Sequence, residues 1–332
     1  SYVKSRIVGT GSYLPKSVVD NSSIASQFDL QDDDVFRVTG IRTRHWVRED
    51  EKCSDLAEQA ARQALVAADL GSDAIDAILV STTSPDMLFP STACHLQRRL
   101  NARNVAAFDL AASCTGFIYG LSMADAFIRA GQFRCCLVVA SEVKSRYLDS
   151  SKKSSAVLFG DGAGAAVLTK EESNIPESPG IVSIRLYSDG AYNDLISVPA
   201  GGSRMPTSSE TVRNRLHAIE LKGGTVFRVA VKRLTAAIHE LLEESNLTMS
   251  DIQHVIAHQA NGRMLAAIAK RLGIAPEHMF SIIEETGNTS SASLPMTLAR
   301  ADHEGKLRSG DLVLLGAFGG GLTWGTALVR WG

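Results

Sequence analysis

No apolar run in this chain approaches the ~20 residues that a helix needs to cross a bilayer, so a helical membrane protein is not expected. No signal peptide is visible at the N-terminus. Charge of one sign is equally scarce. The 34 Lys and Arg nearly balance 36 Asp and Glu, and a formal net charge of −2 gives no support to nucleic acid as a partner. Any basic function must come from a local patch. Cysteines are few and unpatterned: five of them, at positions 53, 94, 114, 135 and 136, an odd number with no CxxC spacing. Cys135 and Cys136 are adjacent inside a strand-like run. A disulfide framework is therefore not expected, and a reducing compartment, the cytoplasm, is.

What the chain has is alternation. Its 332 residues suffice for one large or two closely packed domains, and 45% hydrophobic with 21% charged residues is ordinary for a globular protein. Ile75–Thr82, Val105–Leu110, Cys136–Ser141 and Gly164–Thr169 read as strands, with Val105–Leu110 buried. Ser91–Leu100 and Thr115–Ala130 read as helices between them. The order then repeats: helix Val226–Ser245, strand Val255–His258, helix Gly262–Leu272, a strand near Met279–Ile283, helix Ser290–Glu304, and strands Asp311–Gly316 and Gly325–Arg330. This is an internal duplication at the level of pattern, each half being helices on a mixed, mostly parallel sheet. The polar stretch Glu171–Gly180 marks the junction, giving halves 1–172 and 173–332. Ser188–Arg215, rich in Gly, Ser, Pro and Arg, reads as a surface excursion near a site. Gly160-Asp-Gly-Ala-Gly164 superficially suggests a dinucleotide loop. It runs into a strand rather than opening a helix, so tight turning or close packing is the better reading.

Chemistry concentrates at Cys114, between the strand ending at Leu110 and the helix that follows. A helix N-terminus offers unpaired N–H groups and a dipole that favour a thiolate nucleophile. Downstream lie His258 in His-Gln-Ala-Asn, Asn288 in Gly-Asn-Thr-Ser, and Gly319-Gly-Gly321. The Cys114 and Asn288 turns occupy matching places in the two halves. The chain order Cys, His, Asn also occurs in papain-like proteases, but those are disulfide-bonded and carry a Cys-Gly-Ser-Cys-Trp type signature that is missing here. His217, His239 and His254 read as structural hydrogen-bonders.

Five motifs in order, Asp109-Leu-Ala-Ala-Ser-Cys114-Thr-Gly-Phe, Phe159-Gly-Asp-Gly-Ala-Gly164, His258-Gln-Ala-Asn261-Gly-Arg263, Gly287-Asn288-Thr-Ser, and Ala317-Phe318-Gly-Gly-Gly321-Leu-Thr-Trp-Gly325, together resemble β-ketoacyl-acyl-carrier-protein synthase III. The resemblance runs from Gly9 to Trp331. It implies an α/β thiolase-like fold, two duplicated βαβαβαββ-type halves in a five-layer αβαβα arrangement, and a homodimer. It implies a decarboxylating Claisen condensation, with no cofactor, of an acyl-CoA primer with malonyl-acyl-carrier protein, starting fatty acid synthesis. A condensing enzyme of secondary metabolism, or an acyltransferase to another nucleophile, is the alternative. A degradative thiolase is disfavoured because a second Cys-x-Gly turn is missing near the C-terminus. A scaffold homologue is disfavoured because the nucleophile is kept.

The same resemblance assigns roles. Cys114 takes the acyl group, while His258 Nε2 and the Asn288 amide face the enolate. Backbone N–H groups of Cys114 and Gly320 face the tetrahedral oxyanion, beside Phe318. Phe227, Lys153, Asn261 and Arg263 contact substrate. Phe89 enters the neighbouring protomer's acyl pocket. Arg228, Arg263, Lys270 and Arg271 flank the mouth and meet the acidic carrier protein. One departure stands out. Asp34 and Val38 occupy places where many members have a Trp and an Arg that sandwich the CoA adenine. Either the adenine is held otherwise, by Phe36 or Arg37, or CoA thioesters bind weakly and the acyl donor is something else; weak adenine recognition with acyl-CoA still the donor is preferred, because Lys153, Asn261 and Arg263 remain for the phosphates and pantetheine.

Overall fold

The computed structural model describes all 332 residues. Strands β1 (Tyr2–Tyr13), β2 (Ala77–Ser81), β3 (Ala106–Leu110), β4 (Cys135–Glu142) and β5 (Gly162–Ser173) form one sheet in the order β1-β5-β4-β2-β3. Strands β6 (Gly180–Ser188), β7 (His254–Ala257), β8 (Leu312–Gly319) and β9 (Thr323–Arg330) form a second in the order β7-β8-β9-β6. Superimposing β6 on β1, β9 on β5, β8 on β4 and β7 on β2 reproduces order and direction alike. Two of the four strand pairs in the first sheet and one of the three in the second are parallel, so the sheets are mixed but not mostly parallel as expected.

Helices α1 (Cys53–Ala67) and α2 (Thr92–Arg99) cover the outer face of the first sheet. Helices α4 (Gly223–Glu244) and α5 (Gly262–Leu272) cover the outer side of the second. Between the sheets lie α3 (Gly116–Arg129) and α6 (Ser293–His303), completing five layers. Side chains alternate accordingly. Leu79, Val138, Val313 and Leu315 face the central layer with Phe117, Leu121 and Leu294, whereas Ile78, Val80, Leu137 and Val139 face α1 and α2. With both faces covered, the central strands must be apolar throughout, which is why they read as continuous runs. No helix is long and apolar enough to cross a membrane.

Two further expectations need correction. The run Val105–Leu110 is a strand from Ala106, but it is the sheet edge and is half-exposed rather than buried. No strand forms over Met279–Ile283; only Met279 makes a parallel bridge to Val255, in the place that β3 takes beside β2. The reason is local. The Gln259 side-chain oxygen accepts from the backbone N–H of Ile282 (3.0 Å) and Ile283 (3.2 Å), which removes the donors a ladder would use, and the chain turns helical over Ile283–Thr286. The glycines after Phe159 pack closely, as expected: a Cβ on Gly164 would lie 2.6 Å from the backbone N of Met296 in α6. The cysteines are all free thiols.

Strand β1 meets α1 just as tightly. A Cβ on Gly11 would lie 2.1 Å from the carbonyl oxygen of Ala60. We expect Gly11→Ala to lower stability by about 1–3 kcal/mol, the usual cost of forcing atoms into a packed interior. An unchanged urea midpoint would show that α1 can slide away.

Candidate active site

Three backbone turns converge between the sheets. After β3 the chain passes through Ser113 at φ +50°, makes a single 3₁₀ turn over Ser113–Thr115, and enters α3 at Gly116. A Cβ on Gly116 would sit 1.9 Å from Ser81 Oγ, so only glycine lets α3 start flush against β2. The same turn recurs ahead of α6, with Ser290 at φ +55° and a 3₁₀ turn over Ser290–Ala292. The two helix N-termini meet there, and Cys114 Sγ lies 3.3 Å from Ser290 Oγ. The third turn follows β8, where a Cβ on Gly319 would lie 2.5 Å from the backbone N of Cys114.

His258 follows β7 and is 2% exposed. Ser293 Oγ accepts from the backbone N–H of Gln259 at 3.0 Å and lies 2.5 Å from His258 Nδ1. With one lone pair so occupied, the Ser293 hydroxyl proton is free to point at Nδ1. That arrangement places the imidazole proton on Nε2, as a donor, an assignment from the hydrogen-bond network. The ring of Phe318 meets the imidazole edge-on at 5.4 Å. Asn288 is held by its backbone, its N–H donating to Leu158 O and its carbonyl accepting from Gly160 N–H, both at 2.9 Å. Its side-chain oxygen accepts from Ser290 N–H at 2.9 Å, which leaves the amide NH₂ as the free end.

Cys114, His258 and Asn288 all line one cavity of about 1130 Å³. Gly320, Phe318, Phe227, Lys153, Asn261 and Arg263 line it too. Asn261 caps α5, its oxygen accepting from Met264 N–H at 2.9 Å, and so retains its amide donors. The excursion after β6 supplies Ile196, Ser197 and Val198 to the wall. Other expectations fare differently. Arg228, Lys270 and Arg271 are exposed but do not line the cavity; the last two sit at the far end of α5 from Arg263. Phe89 lies outside the cavity and is 80% exposed. Phe36 is stacked under Arg42, 3.8 Å from the guanidinium, and Arg37 pairs with Asp34 at 3.1 Å. Neither reaches the cavity, where Val38 stands instead. His254 bonds Asp311 and His217 bonds Thr211, both at 2.9 Å, whereas His239 is exposed and makes no such bond.

The sequence reading missed Ser290, Ser293, Glu142 and Lys144. The two serines stood in and just after the Gly-Asn-Thr-Ser segment, where the helical period after Asn288 could have aimed them at the centre. Nothing in the strand-like run before Glu142 announces a buried charge. No group of three or more His, Cys, Asp or Glu side chains is arranged to hold a metal ion.

Family models for 3-oxoacyl-[acyl-carrier-protein (ACP)] synthase III match residues 108–190, and for its C-terminal region residues 242–331. A β-ketoacyl-[acyl-carrier-protein] synthase III of Alkalilimnicola ehrlichii is 46% identical over 328 residues, 98% of this chain and 99% of that protein. The chain belongs to the β-ketoacyl-[acyl-carrier-protein] synthase III family. Among solved structures, the synthase III of Aquifex aeolicus VF5 is similar with TM-score 0.90 and 39% identity, covering 98% of this chain and all of that one (100%). The priming β-ketosynthase of the R1128 polyketide pathway is similar with TM-score 0.89 and 33% identity, covering 99% and 96%. The architecture is the thiolase-like fold of this synthase family.

In this synthase III the thiol is less acidic than its place at a helix start suggests. Burial pushes Cys114 up to about 11, against the hydrogen bond from Ser290 and the charge of Lys144, which pull it down. Burial also depresses His258 to about 3. Both groups are neutral at pH 7, which corrects the expectation of a resting thiolate. We expect alkylation of Cys114 by iodoacetamide, followed on its own peptide by mass spectrometry, to rise about tenfold per pH unit from pH 7 to 9. A plateau below pH 8 would mean that the helix N-terminus outweighs burial.

Proposed function

We propose that Cys114, His258 and Asn288 form the reaction centre of a decarboxylating condensation, shared between halves 1–172 and 173–332. The chain is an acyltransferase that condenses an acyl-CoA primer with malonyl-acyl-carrier protein and so initiates fatty acid synthesis. The observation that supports the residue roles best is the convergence of one thiol and two neutral donors in a single cavity.

The steps follow from that geometry. The Cys114 thiol attacks the primer's thioester carbonyl, and the tetrahedral oxyanion is met by the N–H groups of Cys114 and Gly320. CoA leaves with the proton that Sγ gives up. Malonyl-acyl-carrier protein then enters and loses CO₂. The electron pair of the broken C–C bond becomes an enolate, whose oxygen accepts from His258 Nε2–H and the Asn288 amide. Its carbon attacks the acyl-cysteine, the new C–C bond forms, and sulfur leaves as a thiolate that takes a fresh proton from water, the one it gave up having left with CoA. A neutral imidazole is what this role requires: it donates without drawing a proton from water, and Ser293 holds it in the donating tautomer.

Lys153, Asn261 and Arg263 stand at the mouth for the phosphates and the pantetheine arm, and Val38 supports a weak grip on adenine. The carrier protein docks on the cationic face of Arg228, Arg263, Lys270 and Arg271. The protein is a homodimer. Supporting this are the half-exposed edge strand β3 and the adjacent apolar tip, with Leu88 87% and Phe89 80% exposed, where the ring reaches the neighbouring protomer's pocket. Free thiols suit the reducing cytoplasm. A role in secondary metabolism is not favoured, since relatives at 46% and 42% identity carry the synthase III name.

Product analysis with malonyl-acyl-carrier protein tests the reading, together with the intact mass of the enzyme after acyl-CoA. Cys114→Ala should abolish acyl-enzyme formation and condensation while leaving slow malonyl decarboxylation. Asn288→Ala should lower the condensation rate by roughly 10²–10³, as for other lost oxyanion donors. Acyl-enzyme in the Cys114→Ala protein would mean the nucleophile lies elsewhere. For the carrier surface, Arg263→Glu should raise KM for malonyl-acyl-carrier protein several-fold with a smaller effect on priming, and the difference should shrink as salt rises. Equal damage to both half-reactions would point to a collapsed mouth instead.

A further inference from the structure

A lysine stands in the wall of the acyl cavity beside the nucleophile. Lys144 follows β4, and its side chain is only 10% exposed. Thr83, Tyr147 and Cys114 line the cavity with it. Lysine is almost never buried without a partner, because desolvation disfavours the ammonium. The obvious partner is Glu142, which is wholly buried. Yet that carboxylate is already served by other donors. Its Oε1 accepts from Thr82 Oγ1 (3.0 Å), Thr83 N (2.9 Å) and Ser84 Oγ (3.0 Å). Its Oε2 accepts from Ser291 N (3.3 Å) and Ser291 Oγ (3.1 Å). Lys144 Nζ remains 3.9 Å from Oε2, too far for a hydrogen bond.

Within the chain, Nζ donates to Thr83 Oγ1, and the Tyr147 ring centroid lies 5.9 Å away. An ammonium carries three N–H donors. Two have no hydrogen-bond partner within the chain, and Lys144 borders the cavity that a substrate would fill. A hydrocarbon chain laid against them would displace their water and return nothing, whereas an oxygen atom would complete the set. The remaining wall, with Ile196, Val198 and Leu221, suits the aliphatic part of an acyl group.

We propose that Lys144 selects the primer, and that the acyl group loaded on Cys114 carries an oxygen acceptor on its chain rather than being plain hydrocarbon. This rests on Cys114 as the acyl acceptor. Two sources of that oxygen differ in charge. A hydroxyl or carbonyl leaves the Glu142–Lys144 pair balanced; a carboxylate adds a net negative charge to a buried site.

The test is competition among butyryl-CoA, 3-hydroxybutyryl-CoA and succinyl-CoA, equal in chain length, read as kcat/KM for priming and as intact mass of the Cys114 acyl-enzyme. Wild type should prefer at least one oxygenated primer over butyryl-CoA by about tenfold or more, the usual range for a hydrogen bond to a charged group. Succinyl ahead of hydroxybutyryl assigns the carboxylate; the reverse order assigns the neutral oxygen. Lys144→Met should erase the preference and raise butyryl loading. Lys144→Gln, which keeps a donor without charge, should retain hydroxybutyryl loading and lose any succinyl preference. Both variants are matched to wild type by thermal melting, and the wild-type ratio is informative without them. Preference of wild type for butyryl-CoA overturns the proposal, as does an unchanged ratio in a folded Lys144→Met protein. If acetyl-CoA also fails to acylate wild-type Cys114, it is the reading of the site as a whole that falls.

Discussion

Three turns approach one another more closely than side chains ordinarily permit, and the site exists only because they do. Gly319 stands where any Cβ would collide with the backbone of Cys114, and Gly116 where one would collide with Ser81. Ser113 and Ser290 each adopt a left-handed conformation, which costs on the order of 1–3 kcal/mol for a residue that is not glycine. That strain is tolerated because it aims two helix N-termini at one point from opposite sides of a pseudo-twofold axis. The surrounding layers then look like a means of holding the turns together. The sheets fix the strand ends, and α3 and α6, buried between them, fix the directions in which the turns leave.

The electrostatics follow from the same burial. With little water to support charge, the thiol and imidazole both rest neutral. Charge that does persist is tied to neutral donors, as around Glu142, which takes bonds from Thr82, Thr83 and Ser84 in one half and from Ser291 in the other. Arg44 plays a comparable part behind Asn288. Fully buried, it donates to Val157 O at 2.8 Å and Asn21 Oδ1 at 2.9 Å, and it backs the segment whose Leu158 and Gly160 grip the Asn288 backbone. With the thiol and imidazole themselves uncharged, the donors facing them stay available for charge that appears only during reaction.

Much of this was legible in the sequence. The central strands announced themselves as apolar runs because both of their faces are covered, and α5 was read to the residue because Asn261 caps it and Gly273 ends it. Cys114, His258 and Asn288 stood in recognisable motifs. What was not legible depends on distant partners. The missing strand at Met279–Ile283 was decided by Gln259, more than 20 residues away in the chain. The acidity of Cys114 was read from its local turn, while the outcome was decided by the layers that bury it. Lys144 carries no local signal at all: among exposed residues it would be an ordinary surface charge, and only the fold turns it into the cavity. Phe36 was available by position, but Arg42 had claimed its face.

Helix α6 lies more on the first sheet than on its own, with Met296 and Pro295 pressed against Gly162 and Gly164. This has a consequence for birth on the ribosome. When the first sheet has been synthesised, the helix that shields much of its inner face is still about 120 residues from being made, on the order of ten seconds at ordinary elongation rates. During that interval α3, already made, is the one central helix that can cover that face. The amino-terminal half therefore waits as a nascent intermediate with part of its inner face uncovered, and a chain truncated before Ser293 is expected to be prone to aggregate.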